Sequence, residues 1–350
     1  MQSLWRFILG ALAALAPAGA LAASGQPKPL FESHDIIHLT IRGPLGRIAM
    51  NAANSKAPAD GTLTVEGASP QTFPVKLSAR GITRRANDVC AFPPLRIEFV
   101  DKPGAPSLFQ GQKKLKLVTH CRTAASFQQY MLLEYAAYRM YNVLTSNSFN
   151  VRLAAINYED STGRTLVSRL GFFIEDVKDV AKRNGLRAPE TGDTIPISAL
   201  SSRDAAREAL FQYMIGNLDW SMTAGPPHAG CCHNTKLSGP EGATRGLIPI
   251  PYDFDFSGLV DAPYAVPPDG MAVSSVRDRR YRGFCVHVPE AVAVAAEALA
   301  RRSDLMAVLD ETPQLDAGTR RKAAAYLDPF FGQIGSEKIL ADKLLRNCLR

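Results

Sequence analysis

Two carboxylates stand two positions apart in PYDFDFSGL, residues 251–259, between three aromatic rings. The apolar lead-in GLIPI predicts a buried strand running into them, and on a strand residues two apart project to one side. Asp253 and Asp255 are therefore expected to face the same way while Phe254 packs on the other face. Two carboxylates held that close repel, and one takes up a proton unless a cation intervenes. Mg²⁺ is the natural cation, because it takes hard oxygen ligands and is commonly held by one or two carboxylates plus substrate phosphates. The plainer reading is that one Asp caps the turn at Ser257-Gly258 while the other pairs with an arginine.

The segment GNLDWSMTAGPPHAGCCHNTKL, residues 216–237, favours the cation. Asp219 falls where a predicted helix ends, and Asn234 opens the next apolar–basic run. An acid at a helix-to-loop junction, then an Asn, then an Asp at the end of the next strand is the order found in phosphoryl-transfer sites. There the first acid orients or deprotonates the acceptor hydroxyl, and the Asn and second Asp hold the metal on the phosphates. Such chemistry is mainly positioning and neutralisation of charge. Taken singly, Asp219 reads as a loop residue and Asn234 as a turn former; their order gives them weight.

That order resembles the spore-coat protein H (CotH-like) kinases, an atypical secreted branch of the protein-kinase-like superfamily, over roughly residues 75–260. The residues that carry the resemblance are SARGITRR, LRIEF, a long helix with Glu134, a hairpin ending GFFIEDV, NLDW…HN and PYDFDF. It implies an α+β, bilobal protein-kinase-like fold, with a strand-rich N-lobe holding one long helix and a mostly helical C-lobe. It implies Asp219 as catalytic aspartate, Asn234 and Asp253 as metal ligands, and Asp255 as a second or supporting ligand. Arg80 would lie near the phosphates, Glu134 would pair with the phosphate-binding cation, and Glu175 with Val177 would mark the lobe junction where adenine binds. Mg²⁺ and ATP are the implied cofactors, with a protein or small molecule as acceptor. The sequence departs from the pattern in two places. PPLRIEF puts Arg96 or Glu98 where a lysine is expected, leaving Lys114 and Lys116 of KKLKLV as candidates for that cation, and PPHAGCC lengthens the stretch between Asp219 and Asn234. The alternative these departures imply is a catalytically inactive binding protein on the same fold.

A third reading centres on His228, Cys231, Cys232 and His233, soft ligands for zinc or copper in a metal-binding envelope protein. Their spacing matches no standard finger, and disulfides that lock the loop are the expected use. Adjacent Cys231 and Cys232 are expected to reach two different partners, since disulfide geometry strains a neighbouring pair.

The elements that must position these residues read as follows. Residues 1–22 have a basic start, an apolar run and an A-x-A site, and are expected to be a cleaved signal peptide. A polar lead-in covers 23–34, a strand-rich lobe 35–176 and a mainly helical lobe 177–350. The runs IIHLTI, TLTVEG, TFPVKLSA, LRIEFV and KKLKLV predict an antiparallel sheet. The three-and-four spacing of SFQQYMLLEYAAYRMYNVL predicts a helix over 126–144, and FNVRLAAINYE with TLVSRLGFFIE predicts a hairpin about DSTGR. Further helices are expected in DVKDVAKRNG, RDAAREALFQYMIGNL and three segments beyond Pro289. Six cysteines, an even count, suggest disulfides and an exported protein, periplasmic or secreted, with no membrane span once the signal is removed. The net charge of +7 suits anionic ligands, but the basic residues are not clustered with aromatics, so no nucleic-acid partner is expected.

Overall fold

The computed structural model describes residues 25–350, so the expected signal peptide and the start of the lead-in lie outside the described residues. Seven strands form a closed barrel: β1 (Ile37–Arg42), β2 (Ala59–Val65), β3 (Gln71–Ala79), β4 (Leu95–Phe99), β5 (Lys114–Val118), β6 (Val151–Glu159) and β7 (Thr165–Ile174). Their order around the barrel is β1-β2-β3-β4-β5-β7-β6. All neighbours are antiparallel except the closing pair, where β1 runs parallel to β6 from Ile37 opposite Ala154 to Arg42 opposite Glu159.

That closing pair overturns the expected bilobal, protein-kinase-like architecture. The strands do not make an open sheet in a separate N-lobe; they close on themselves. Alternating burial along IHLTIR marks β1 as a strand, but alternation cannot name a partner so distant in the chain. β6 is buried on both faces over Val151–Ala154, alternates in burial beyond that, and is paired on both edges, with β7 and β1. Leu39, Ile41, Leu77, Ile97, Phe99 and Leu117 are among the side chains of the barrel core.

The outward faces of β6 and β7 bury a second core shared with the helices. The helix α1 (Leu45–Met50) follows β1, and α2 (Ala125–Leu144) packs Tyr135 and Tyr138 edge-on against Phe172 of β7. Beyond the barrel come α3 (Val177–Arg183), α4 (Ser202–Ile215), the hairpin β8 (Thr235–Ser238) with β9 (Ile248–Pro251), α5 (Val288–Ala300), α6 (Arg302–Glu311), α7 (Ala317–Gln333) and α8 (Glu337–Lys343).

Two details of this second layer set up the cleft. α4 ends on Gly216, whose φ of 64° is left-handed, and a Cβ there would overlap the Tyr326 hydroxyl, so glycine is required. The Gly216 carbonyl accepts the Gly258 N–H at 3.0 Å, tying the chain beyond α4 to the chain beyond β9. The strand expected through PYDFDFSG stops early, at Pro251. Pro249 and Pro251 cannot donate to a ladder, and Asp253 turns out of the sheet with a φ of 64°.

All six cysteines are paired, as Cys90–Cys121, Cys231–Cys232 and Cys285–Cys348. The middle pair corrects the expectation of separate partners: the peptide between the two residues is cis, and their Cα atoms lie 3.0 Å apart. Paired cysteines fit a chain that matures in an oxidising compartment. No helix among the described residues is long and apolar enough to cross a membrane. The Cys90–Cys121 bond spans 31 residues and staples the segment that carries β4 and β5. Replacing both cysteines by alanine should cost about 3–4 kcal/mol through the entropy returned to the unfolded chain. Urea midpoints would measure this, and an unchanged midpoint would contradict it.

Candidate functional site

Past β3 the chain makes a 3-10 turn, Thr83–Arg85, that buries Arg84. Arg84 Nη1 donates to Glu134 Oε2 at 2.8 Å, and Nη2 to Glu134 Oε1 at 3.3 Å and Asp253 Oδ1 at 2.9 Å. Its Nε lies 3.1 Å from Asp255 Oδ2, which also accepts the Tyr264 hydroxyl at 3.1 Å. Glu134 and Asp255 are only 1% and 5% exposed, and a carboxylate so buried needs a partner. Arg84 is that partner for all three acids. The three carboxylates keep Arg84 firmly protonated, while burial pushes the Glu134 and Asp255 carboxyls upward. One guanidinium against three carboxylates leaves a formal charge of −2.

The same three acids can each bring one oxygen within 4.8 Å of the others, the geometry of a cation site. The guanidinium already fills it. The cation paired with Glu134 is thus Arg84, not Lys114, Lys116 or Arg96. Asp255, expected as a metal ligand, sits in the grasp of Arg84 and Tyr264. SARGITRR contains this arginine, but the family resemblance assigns a role only to the first of its three.

A second cluster forms where α4 gives way to loop. Asn217 Oδ1 accepts the Asp219 N–H at 3.0 Å. Asn234 Nδ2 donates to the Asp219 carbonyl at 2.7 Å and to its Oδ2 at 2.9 Å. His233 Nε2 lies 2.7 Å from Asp219 Oδ1, and this hydrogen bond raises the imidazole above its ordinary value. The Asn234 carbonyl accepts the Tyr252 N–H at 3.0 Å, which holds the start of β8 beside Asp253. Asn234 and Asp253 both adopt positive φ, 49° and 64°, a conformation that side chains rarely take and that clusters at functional sites.

Members of both clusters line one cleft of about 500 Å³, with Glu134 buried behind Arg84 and Lys116 near Tyr252 rather than in its walls. Asp219, His233, Asn234, Asp253 and Asp255 share its walls with Arg80, Arg84, Lys236 and Tyr252. Lys116 Nζ stands 5.9 Å from the Tyr252 ring centroid and Lys236 Nζ 5.4 Å from it, within reach of cation–π attraction. Burial, with repulsion from Arg80 and Lys236, pushes the Lys116 ammonium down to about 8.

That value has two consequences. In the free protein the folded-state value is depressed, so the stability linked to Lys116 is present above the ordinary lysine range and is lost as pH falls through about 8. A bound anion reverses the preference by favouring the charged amine. Pyrophosphate is therefore expected to bind more tightly as pH is lowered through about 8, and Lys116→Met should flatten that profile. Calorimetric titrations at several pH values would show it; equal slopes for parent and variant would contradict it.

The remaining expected residues lie apart from the cleft. Arg96 is exposed on β4 opposite Lys116, and Lys114 is exposed and paired with Glu98 at 3.3 Å. Glu175 is fully buried at the end of β7, where its carboxylate takes the Arg183 guanidinium and the Asn150 N–H. The soft-ligand cluster does not assemble: Cys231 and Cys232 are bonded to each other, and His233 is hydrogen-bonded to Asp219.

No protein-family model matches the chain, and no curated protein matches it.

Proposed function

We propose that the protein is an exported phosphotransferase that binds a Mg-nucleotide in this cleft. The observation that carries the proposal is that Asp219, Asn234 and Asp253, distant in sequence, line one cleft together with Arg80 and Lys236. The donor set suits the metal. Asn234 spends its Nδ2 on Asp219, leaving its carbonyl oxygen, and Asp253 gives one oxygen to Arg84, leaving the other. Two hard oxygens beside a cluster of formal charge −2 fit Mg²⁺, and Asn234 and Asp253 are the residues that would hold it. When bound, Mg²⁺ supplies neutralising charge on the transferring phosphate.

The protein's own groups do the rest. Arg80, Lys236 and Lys116 hold the negative charge of the phosphates. Asp219 orients the acceptor hydroxyl and draws off its proton as the acceptor oxygen bonds to the terminal phosphorus, while the bond to the departing nucleoside diphosphate breaks. His233 and Asn234 fix the rotamer of Asp219 through its two carboxylate oxygens. The acceptor is a hydroxyl-bearing protein or small molecule, met in the periplasm or outside the cell. ATP is the nucleotide proposed.

Thermal unfolding tests this reading cheaply, because a ligand that binds only the folded state raises the midpoint. Mg-ATP should stabilise the protein, while ATP with a chelator, Mg²⁺ alone and Zn²⁺ should have little effect. Stabilisation by Zn²⁺ alone, or by none of these, would contradict it.

A further inference from the structure

Behind the cleft, α4 carries Glu208 and Gln212, both fully buried, and the chain runs on into Asn217, 1% exposed. Glu208 Oε1 accepts the hydroxyl of Thr235, the residue next to Asn234. Asn217 Oδ1 accepts the Asp219 N–H, and the Asn217 carbonyl accepts Trp220 Nε1 at 2.9 Å. One buried polar side chain thus stands behind each of the two cleft residues that hydrogen-bond each other.

No hydrogen bond of ordinary length reaches Glu208 Oε2, Gln212 Oε1, Gln212 Nε2 or Asn217 Nδ2 among the described residues, although the Gln212 side chain stands close enough to Glu208 to act on its carboxyl. Each bare buried polar atom costs about 1–3 kcal/mol, so apolar side chains would pack here at lower cost. Their chemistry is complementary. Burial pushes the Glu208 carboxyl up to about 8, so at neutral pH it keeps its proton and is a donor. Gln212, one turn along the same helix face, offers its amide oxygen. The two amide N–H groups that remain can both donate to one buried water, the usual means of satisfying such groups.

We propose that Glu208, Gln212 and Asn217, joined through a buried water, form a positioning network that fixes Asp219 and Asn234 relative to each other from behind. None of the three reaches the reacting atoms. The expected effect on turnover rests on the phosphotransferase reading; the effect on Trp220 does not.

Of the two tryptophans, Trp5 falls within the expected signal peptide, so in the processed protein, or in a full-length Trp5→Phe chain, Trp220 is the sole indole and its emission reports on Asn217. Three variants make the test: Glu208→Gln, Glu208→Leu and Thr235→Val. Glu208→Gln keeps a donor and an acceptor and should retain the parent's emission and turnover. Glu208→Leu and Thr235→Val should shift Trp220 emission and lower kcat by about ten- to a hundredfold, the scale of a slightly misplaced catalytic group, with KM for Mg-ATP unchanged. Glu208→Leu leaves the Thr235 hydroxyl unpaired at a cost of about 1–3 kcal/mol, so a purely structural role predicts a lower melting temperature with kcat and KM like the parent's. Parent-like emission in both apolar variants, or shifted emission with parent turnover, overturns the proposal. If Glu208→Leu does not fold, Thr235→Val carries the same test after losing a single hydroxyl. If the parent transfers no phosphate, the reaction is what fails, and Trp220 emission across the variants still decides the network.

Discussion

Arg84→Met is expected to be the most damaging single substitution in the cleft, costing about 3–5 kcal/mol of stability, because it strands buried charges rather than merely removing a contact. Among the described residues Arg84 is the one cation bonded to Glu134, Asp253 and Asp255 together. Two rescues should follow. In the variant the buried carboxyls have folded-state values above their unfolded ones, so protonation favours the fold. Their contribution is restored as pH falls and lost as pH rises through the folded values. The gap between variant and parent should therefore narrow as pH is lowered from neutral, because burial raises these carboxyls and lets them take up protons. A divalent ion should do the same, since the three acids can offer oxygens within 4.8 Å of each other once the guanidinium is gone. Millimolar Mn²⁺ should raise the melting temperature of Arg84→Met more than that of the parent. A variant as stable as the parent at neutral pH, or one indifferent to both acid and Mn²⁺, would show that Arg84 is not what balances the cluster.

The second large effect separates two aspartates by what each is expected to do. Asp219→Ala should lower phosphoryl transfer by about 10²–10⁴-fold, the range for loss of a general base or acceptor-orienting group, with Mg-ATP affinity nearly unchanged. Asp253→Ala should lose the metal-dependent part of Mg-ATP binding itself. It should leave the fold as stable as before or more so, because it takes one of three crowded carboxylates away from a single guanidinium, and sites are commonly built at some cost to stability. Initial rates measure the first effect, while calorimetry and thermal unfolding measure the second. Two variants that bind Mg-ATP like the parent would remove Asp253 from the metal site.

Much of this arrangement could be read from local pattern. The long helix over Ala125–Leu144 and the hairpin of β6 and β7 follow from periodicity, which burial on one face or two imposes on neighbours in sequence. Residue type and order single out Asp219, Asn234 and Asp253, and the fold brings these three to one cleft. What stayed hidden depends on contacts that no local pattern encodes. The parallel pairing of β1 with β6 closes the barrel across more than a hundred residues, and nothing in IHLTIR distinguishes a barrel strand from an edge strand. Arg84 was one of three arginines in SARGITRR, and only burial against α2 and the turn beyond β9 singles it out. The two aspartates of DFD were expected to share a strand face. They do converge, but by leaving the strand at Pro251, with Asp253 in a left-handed conformation and both acids drawn to one guanidinium. The bond between Cys231 and Cys232 accompanies a cis peptide, which residue type alone does not announce outside proline.

The reading of the cleft stands on a divalent ion being gripped by Asn234 and Asp253 against a nucleotide's phosphates. Calorimetric titration of Mn-ATP into the parent, Asn234→Ala and Asp253→Ala proteins, each repeated with metal-free ATP, addresses that grip directly. The account predicts that the parent binds Mn-ATP well and bare ATP weakly, and that both variants bind the two forms alike. If the parent does not distinguish Mn-ATP from ATP, or the variants keep its preference, the ion is not held there and the phosphotransferase assignment is wrong.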